Sequence, residues 1–451
     1  MSAYTQYIQM VDKHRDLIFA AEKYLWEHPA PGYKEWPAHE YLKAEFEKLG
    51  YELFCPGDIP GFYTDLDTGR PGPTVLLMGE LDSLIVASHP ACDPKTGAVH
   101  ACGHHAQVAG LLGVAAALKE PGALDGLCGK IRLMAVPAEE LIEIEWREEQ
   151  RKAGKIRYFG GKQEFIHRGY MDGVDFNSLI HTSTAPAGTA SISVGQNGFI
   201  TKSITFHGVS AHAAAPSRGV NALYAANAAM TAINSLRETF KDSEHIRVHP
   251  IITMGGTVVN AIPETVTMES FVRGATVDAI VRENAKVNRA IAASALALGG
   301  NVTISDRPGY MPNNNDPECK KVAIAAMAEV VGAENVQTPT LWGNGSTDMG
   351  DMSTIIPTAY IHVGGAVGRA HGNNYYIEDV ESCCVNAAKI LMLEARMMLE
   401  NNAERLVEIK KNFKPVFASK EEYRAALDAM VLDGQAVTYH EDGTASIRFS
   451  N

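Results

Sequence analysis

The sequence predicts an α/β protein: a mixed, mostly parallel sheet flanked by helices, carrying an inserted, smaller α+β domain. Three observations predict it. Apolar strand-like runs alternate with helical patterns up to about residue 180, the order from which parallel sheets are built. Near residue 194 the order becomes strand–helix–strand–strand–helix–strand, that of a ferredoxin-like unit. After residue 306 the first texture returns. The chain therefore reads as a discontinuous domain, 1–193 and 306–451, interrupted by a second at 194–305.

The elements follow in order. Tyr7, Met10, Val11, Leu17 and Ile18 recur at helical spacing, as do Tyr41, Leu42, Phe46 and Leu49. These give two helices, separated at Pro29 and Pro31 and ended at Gly50. Gly61–Leu66 and Thr74–Met78 are expected to form a hairpin about Asp67-Thr68-Gly69. Thr74–Met78 is almost continuously apolar, as a strand buried on both faces is. A helix over 105–118 follows, then the strand Lys130–Val136, which runs straight into Pro137-Ala138-Glu139-Glu140. A strand-like run, Val174–Ile180, meets His181. In the inserted part, Ile200–Phe206, Pro250–Met254, Thr265–Arg273 and 301–305 read as strands, and 219–239 and 278–297 as helices. Helix 317–331, strand 358–363 and helix 379–400 restore the first pattern, and the tail adds two helices and a short hairpin.

Composition narrows the function. With 46% hydrophobic and 21% charged residues, wholesale disorder is excluded. The net charge of −13, without a basic patch, argues against nucleic acid as a partner. No run of 18 apolar residues is present to span a membrane, and the N-terminus lacks the apolar core of a signal peptide. Seven cysteines, an odd number without a framework, suggest reduced thiols. A cytoplasmic protein is expected.

Two clusters carry chemistry. His100-Ala101-Cys102-Gly103-His104-His105 offers a thiolate and up to three imidazoles at a loop-to-helix turn, a set that suits zinc or a similar ion. The bland alternative is a core cysteine beside surface histidines. Glu139-Glu140 lies directly after a strand, where sites form in α/β sheets. Neighbouring side chains in extended backbone point to opposite sides, so one carboxylate can hold a metal while the other handles protons. Taken alone, a solvated acidic turn is the commoner explanation. His181, His212 and His371 stand in unusually apolar surroundings, but singly each reads as a hydrogen-bonded core histidine. His39, among others, reads as a surface residue.

In order, six segments resemble the M20 family of metallopeptidases and amidohydrolases: Gly79-Glu80-Leu81-Asp82-Ser83-Leu84, His100–His104, Pro137–Glu140, Ser210–Pro216, Gly255–Pro263 and Gly345-Ser346-Thr347-Asp348. The resemblance runs to about residue 400. The cysteine in the first metal motif resembles the amidohydrolase branch, and residues 345–353 are similar to aminobenzoyl-glutamate hydrolase and dipeptidase-like proteins. It implies two divalent ions (Zn, Mn or Co) bridged by Cys102, one completed by His104 and His181, the other by Glu140 and His371. It implies Glu139 as general base, Asp82 orienting a ligand, and Glu80 behind the ligands. His212 becomes an oxyanion donor acting across a homodimer interface, and Asn260 and Arg273 hold a substrate carboxylate. The inserted domain becomes a lid and dimerisation domain. The implied reaction is amide hydrolysis of a small N-acyl amino acid, aryl-amide or dipeptide by metal-activated water. Its rivals are hydrolytic deamination of an activated aromatic amine and a non-catalytic metal-binding scaffold.

The sequence departs from the family in two places. Leu141–Phe159 intervenes after the paired glutamates and reads as a solvated surface helix, with lining of the substrate pocket or rimming of the dimer contact as the alternatives. His105 stands where Asp or Asn is usual, and reads as a helix-start histidine facing groups that support the ligands, with an extra, adventitious ligand as the alternative. Trp342, Tyr375 and Tyr376 flank the late motifs and suit either an apolar acyl group or simple packing.

Overall fold

The computed structural model describes residues 2–448. It divides into two compact units: residues 1–195, 314–341 and 351–418, and residues 196–313, 342–350 and 419–451.

The first unit is built on a seven-stranded sheet. At its centre Lys130–Val136, Thr74–Glu80, Phe176–Ser183 and Thr358–Gly364 run parallel in that spatial order, so their carboxyl ends share one edge. Phe62–Asp67 is antiparallel on the Lys130–Val136 side. The expected hairpin is thus absent: Lys130–Val136 lies between its two arms. The connection 68–73 wraps around Gly129 instead, with the Thr68 amide on the Gly129 carbonyl. The first fifty residues hold three helices, Thr5–Asp12, Arg15–Glu27 and Trp36–Lys48, because the chain breaks at Lys13-His14.

The helix His104–Ala117 is buried on every side, as its unbroken Ala/Leu/Val/Gly composition requires. It packs on Thr74–Glu80, on Arg15–Glu27 and on Ala387–Leu399. Gly79 permits the first contact, since a Cβ there would meet the Val108 side chain at 2.8 Å. The helix is held hard against the sheet, and its first residue arrives at the edge where the parallel strands end.

The second unit is built on an antiparallel sheet; its long strands Thr265–Gly274 and Asn301–Pro308 alternate between a buried and a more open face, whereas residues 198–202 are buried throughout. Asn301–Pro308, Gly198–His207 and Thr265–Gly274 lie side by side, followed by Arg247–Val248 and Ile251–Met254. Helices Ala222–Leu236 and Val277–Ala297, N-capped by Asn221 and Thr276, cover the buried face. Leu432–Gln435 adds a further strand beside Asn301–Pro308. The tail from residue 419, expected to belong to the larger domain, therefore folds with the smaller one. The cause is the free edge of Asn301–Pro308, which this short strand satisfies.

Candidate metal centre

Five segments deliver side chains to the carboxyl edge of the first unit's sheet. Thr74–Glu80 ends in Glu80 and passes into Leu81-Asp82. Lys130–Val136 passes into Glu139-Glu140. Cys102 and His104 flank Gly103, which caps the buried helix at φ +93°. A Cβ on Gly103 would lie 2.2 Å from Thr182 Oγ1 and 2.5 Å from the Tyr375 hydroxyl, so no other residue fits between the two candidate ligands. His181 sits in Phe176–Ser183, and His371 follows Thr358–Gly364 at φ +62°, its amide on the Ala101 carbonyl at 2.9 Å.

Two groups of these residues share one sulfur, and a third joins Glu80, His104 and Glu139. Donor atoms of Cys102, His104 and His181 lie within 4.8 Å of one another, and so do those of Cys102, Glu140 and His371. Cys102 Sγ is 3.3 Å from His181 Nε2, and Glu140 Oε1 is 3.2 Å from His371 Nε2. His181 donates Nδ1–H to the Thr182 carbonyl at 2.7 Å, which leaves Nε2 as the lone-pair nitrogen facing the sulfur. His104 presents Nδ1 to the Asp82 carboxylate at 3.1 Å and to its carbonyl at 3.0 Å. Asp82 also accepts the Glu140 amide at 2.8 Å, so one carboxylate orients two candidate ligands.

The donor set fits divalent ions. A thiolate, three imidazole nitrogens and a carboxylate are the ligands that zinc and its neighbours take. Among the described residues the buried His104 Nε2 finds no hydrogen-bond partner, and it points into the cluster.

Burial and neighbouring charges shift the groups of the cluster. Burial, reinforced by Glu140, pushes the Cys102 thiol well above its ordinary range. Burial opposes a charge on His104, yet Cys102 and Glu80 beside it raise its pKa well above 6.5. Burial lowers that of His181. Glu140 is held below 4.5 because the His371 hydrogen bond outweighs burial, and the same bond raises His371.

Glu139 and Glu80 complete the floor. Glu139 Oε2 stands 3.8 Å from His104 Nε2, and Glu80 Oε2 stands 3.3 Å from it. Glu80 is tied down from behind: Lys162 Nζ donates to one oxygen at 2.5 Å and Gln107 to the other at 2.7 Å. Burial opposes its charge, but Lys162 prevails and lowers its pKa to about 2. Nothing in the sequence points to Lys162 or Gln107; no motif marks a lone lysine or glutamine.

Elsewhere the structure departs from the sequence expectations. His105 is fully buried, but its Nε2 faces Glu22 at 3.3 Å and its ring rests on Trp26 and His100, away from the cluster. His39 is buried, not exposed, and accepts the Gly61 amide at 3.0 Å. The inserted segment does form a helix, Ile144–Lys152, but it is not merely solvated, since Arg147 is fully buried. Tyr375 is buried beneath Cys102, its hydroxyl 2.7 Å from Thr182 Oγ1 and donating to the Cys102 carbonyl at 3.3 Å.

His212, Asn260 and Arg273 all belong to the second unit. His212 and Asn260 are adjacent, since His212 bridges Ala261. Arg273 lies near the end of Thr265–Gly274, half-buried against the rings of Phe199 and Phe271, with Ser346 Oγ at 3.2 Å.

The model for peptidase family M20/M25/M40 matches residues 76–395. The chain belongs to this family. As an M20 protein it is a hydrolase of amide or peptide bonds. An IAA-amino acid hydrolase of Arabidopsis thaliana is 26% identical over 363 residues, 77% of each chain. One chain of the p-aminobenzoyl-glutamate hydrolase of Escherichia coli is 30% identical over 234 residues, 49% of this chain and 48% of that one. In fold, the M20 protein is similar to a dinuclear metal-binding M20 peptidase of Bacillus subtilis, at a TM-score of 0.66 and 20% identity over 86% of this chain and 99% of that one.

Proposed function

We propose that this M20 hydrolase cleaves the amide bond of a small N-acyl amino acid, aryl-amide or dipeptide, with two divalent ions held by Cys102, His104, His181, Glu140 and His371. The observation that carries the reading is the sharing of Cys102 by two three-residue ligand groups. Relatives named as hydrolases of amino-acid conjugates support the substrate class.

Bound ions of this kind supply Lewis acidity, polarising a carbonyl and bringing the pKa of water from about 15.7 towards ~7. The chain's own residues do the rest. Glu139 takes the proton from the attacking water and hands it to the leaving nitrogen. Asp82 fixes the His104 ring and the Glu140 backbone. His212 Nδ1 accepts the Ala214 amide at 3.0 Å, which keeps the proton on Nε2 and makes it a donor for the carbonyl oxygen in the transition state. Arg273 lines a cavity of about 320 Å³ with Arg247, directly opposite it across the strands. Two guanidiniums side by side suit a substrate carboxylate, with Asn260 as a second polar contact.

The homodimer, with His212 acting on the partner's centre, is supported by the edge of the second unit's sheet. Ile251–Met254 is exposed along its whole length, and Ile251, Ile252 and Met254 are apolar. An open apolar edge invites pairing with a second copy. All seven cysteines are free thiols, which supports a reducing, cytoplasmic setting. Among the described residues no helix is long and apolar enough to cross a membrane.

The test is direct. Protein stripped with a chelator is reloaded with Zn²⁺, Mn²⁺ or Co²⁺ and offered N-acyl amino acids, glutamate aryl-amides and dipeptides. Ion-dependent release of a carboxylate and an amine is expected. A folded, ion-loaded protein inert on the whole panel would refute the reading, and a phenol product would mark ring deamination instead.

A further inference from the structure

The helix Ile144–Lys152 starts soon after the paired glutamates, and Arg147 is its only buried residue. That burial is complete. Nη2 donates to the Glu140 carbonyl at 2.6 Å and Nη1 to the Phe159 carbonyl at 2.8 Å. The guanidinium stands 5.5 Å from the Tyr33 ring centroid. Gly32 leaves it room, since a Cβ there would meet Nη2 at 2.4 Å. Among the described residues no carboxylate forms an ion pair with it, and Nε has no acceptor. A fully buried guanidinium that hydrogen-bonds only carbonyls, with the buried Glu35 carboxylate attracting it from beyond ion-pair distance, is a costly placement. A merely solvated helix has no need of it.

What Arg147 holds is the backbone that presents the two carboxylates. Glu35 Oε1 accepts the Ala138 amide at 2.8 Å, and Asp82 accepts the Glu140 amide at 2.8 Å. Ala138 sits at φ +56°, a conformation that persists only when its surroundings impose it. Without Arg147 the Glu140 carbonyl keeps, among the described residues, only the Ile142 amide at 2.9 Å, from the same loop. The backbone on either side of Glu140 is thus fixed by side chains from three separate segments, and the inserted segment supplies one of them.

We infer that Arg147 is a positioning residue: acting through the Glu140 carbonyl, it sets the Glu140 carboxylate for one cation and Glu139 for the water, so the segment 141–159 is part of the metal centre. The inference rests on the proposed dinuclear site. Arg147 touches neither substrate nor ion; its effect passes through the dipeptide it holds.

The test measures Zn²⁺ bound per chain and the affinity of each step, by titration against a chromophoric chelator, in the wild type, Arg147→Met and Arg147→Lys, alongside thermal unfolding. In Arg147→Met one Zn²⁺ should bind at least tenfold more weakly while the other keeps its wild-type affinity, because Cys102, His104 and His181 lie on other segments. kcat should fall with KM little changed, and Arg147→Lys, which retains the charge and reaches one carbonyl, should recover part of both losses. Should Arg147→Met fail to fold, Arg147→Lys with a wild-type melting temperature carries the test, with selective weakening of one ion expected. Wild-type affinity for both ions in a folded variant would overturn the inference. A wild type that binds no Zn²⁺ would overturn the functional reading first, and the inference with it.

Discussion

Cys102 contributes the one donor atom common to the two proposed ligand groups, and Glu139, whose carboxylate clusters with Glu80 and His104, is the proposed base. Cys102→Ser replaces a soft thiolate by a neutral hydroxyl, so both ions should be lost together, not one. Inductively coupled mass spectrometry of the purified variant should find less than one ion per chain. Glu139→Gln should keep both ions and lose ~10²–10⁴-fold in kcat, the usual yield of a general base. Cys102, His104 and Glu140 are legible in the sequence because they sit in short motifs, whereas His181, inside a strand, and His371 are picked out only by the family resemblance. Arg147, Lys162 and Glu35 are not, because a side chain that works by reaching a distant carbonyl or carboxylate leaves no local pattern. Glu394 is another such case. It is buried, accepts the Ser178 hydroxyl at 2.7 Å, and burial pushes its pKa up to about 8. A raised carboxyl binds its proton more tightly when folded, so its contribution is full below the ordinary 4.5 and is lost as pH rises towards 8. Glu394→Gln should therefore match the wild type near pH 4.5 and exceed it by roughly 2–4 kcal/mol at pH 8.5 in urea unfolding. Equal stabilities at both pH values would refute the assignment.

At the scale of elements, the loop-to-helix turn at Gly103 links fold and site most closely. Gly103→Ala places a Cβ in the left-handed region and against Thr182 Oγ1 and the Tyr375 hydroxyl. The strain should cost ~1–3 kcal/mol, and the turn should open between Cys102 and His104. Lower melting temperature together with weakened Zn²⁺ binding is expected; a lower melting temperature with intact binding would mean that the strain is absorbed elsewhere. Periodicity locates almost every element, because buried strands and helices impose period and length on apolar residues. It does not disclose strand order. Phe62–Asp67 and Thr74–Glu80 look like a hairpin locally, and only the sheet shows Lys130–Val136 between them. Likewise Leu432–Gln435 is a polar, Gly-containing strand whose partner lies more than a hundred residues upstream in sequence, a pairing that no local signal announces.

At the scale of the molecule, the proposed roles assign chemistry to both units: ligands and base to the first, His212 and Arg273 to the second. The proposed homodimer would make this a question of subunits. If His212 serves the partner's centre, a chain with Glu139→Gln and a chain with His212→Ala each fail alone, yet fail in different halves of the site. Dissociated and re-associated at equal amounts, they pair statistically, and about half the dimers are mixed. In each mixed dimer one centre receives an intact Glu139 from one chain and an intact His212 from the other. With about half the dimers mixed and one complete centre of two in each, roughly one quarter of wild-type activity should return. Ile252→Lys, placed on the exposed edge strand, should shift the protein to a monomer in analytical ultracentrifugation and abolish activity without altering Zn²⁺ stoichiometry. Restored activity in the mixture together with an inactive, ion-replete monomer would establish action in trans. No restoration, with exchange verified by differently tagged chains, would place His212 in its own chain's site or outside catalysis altogether.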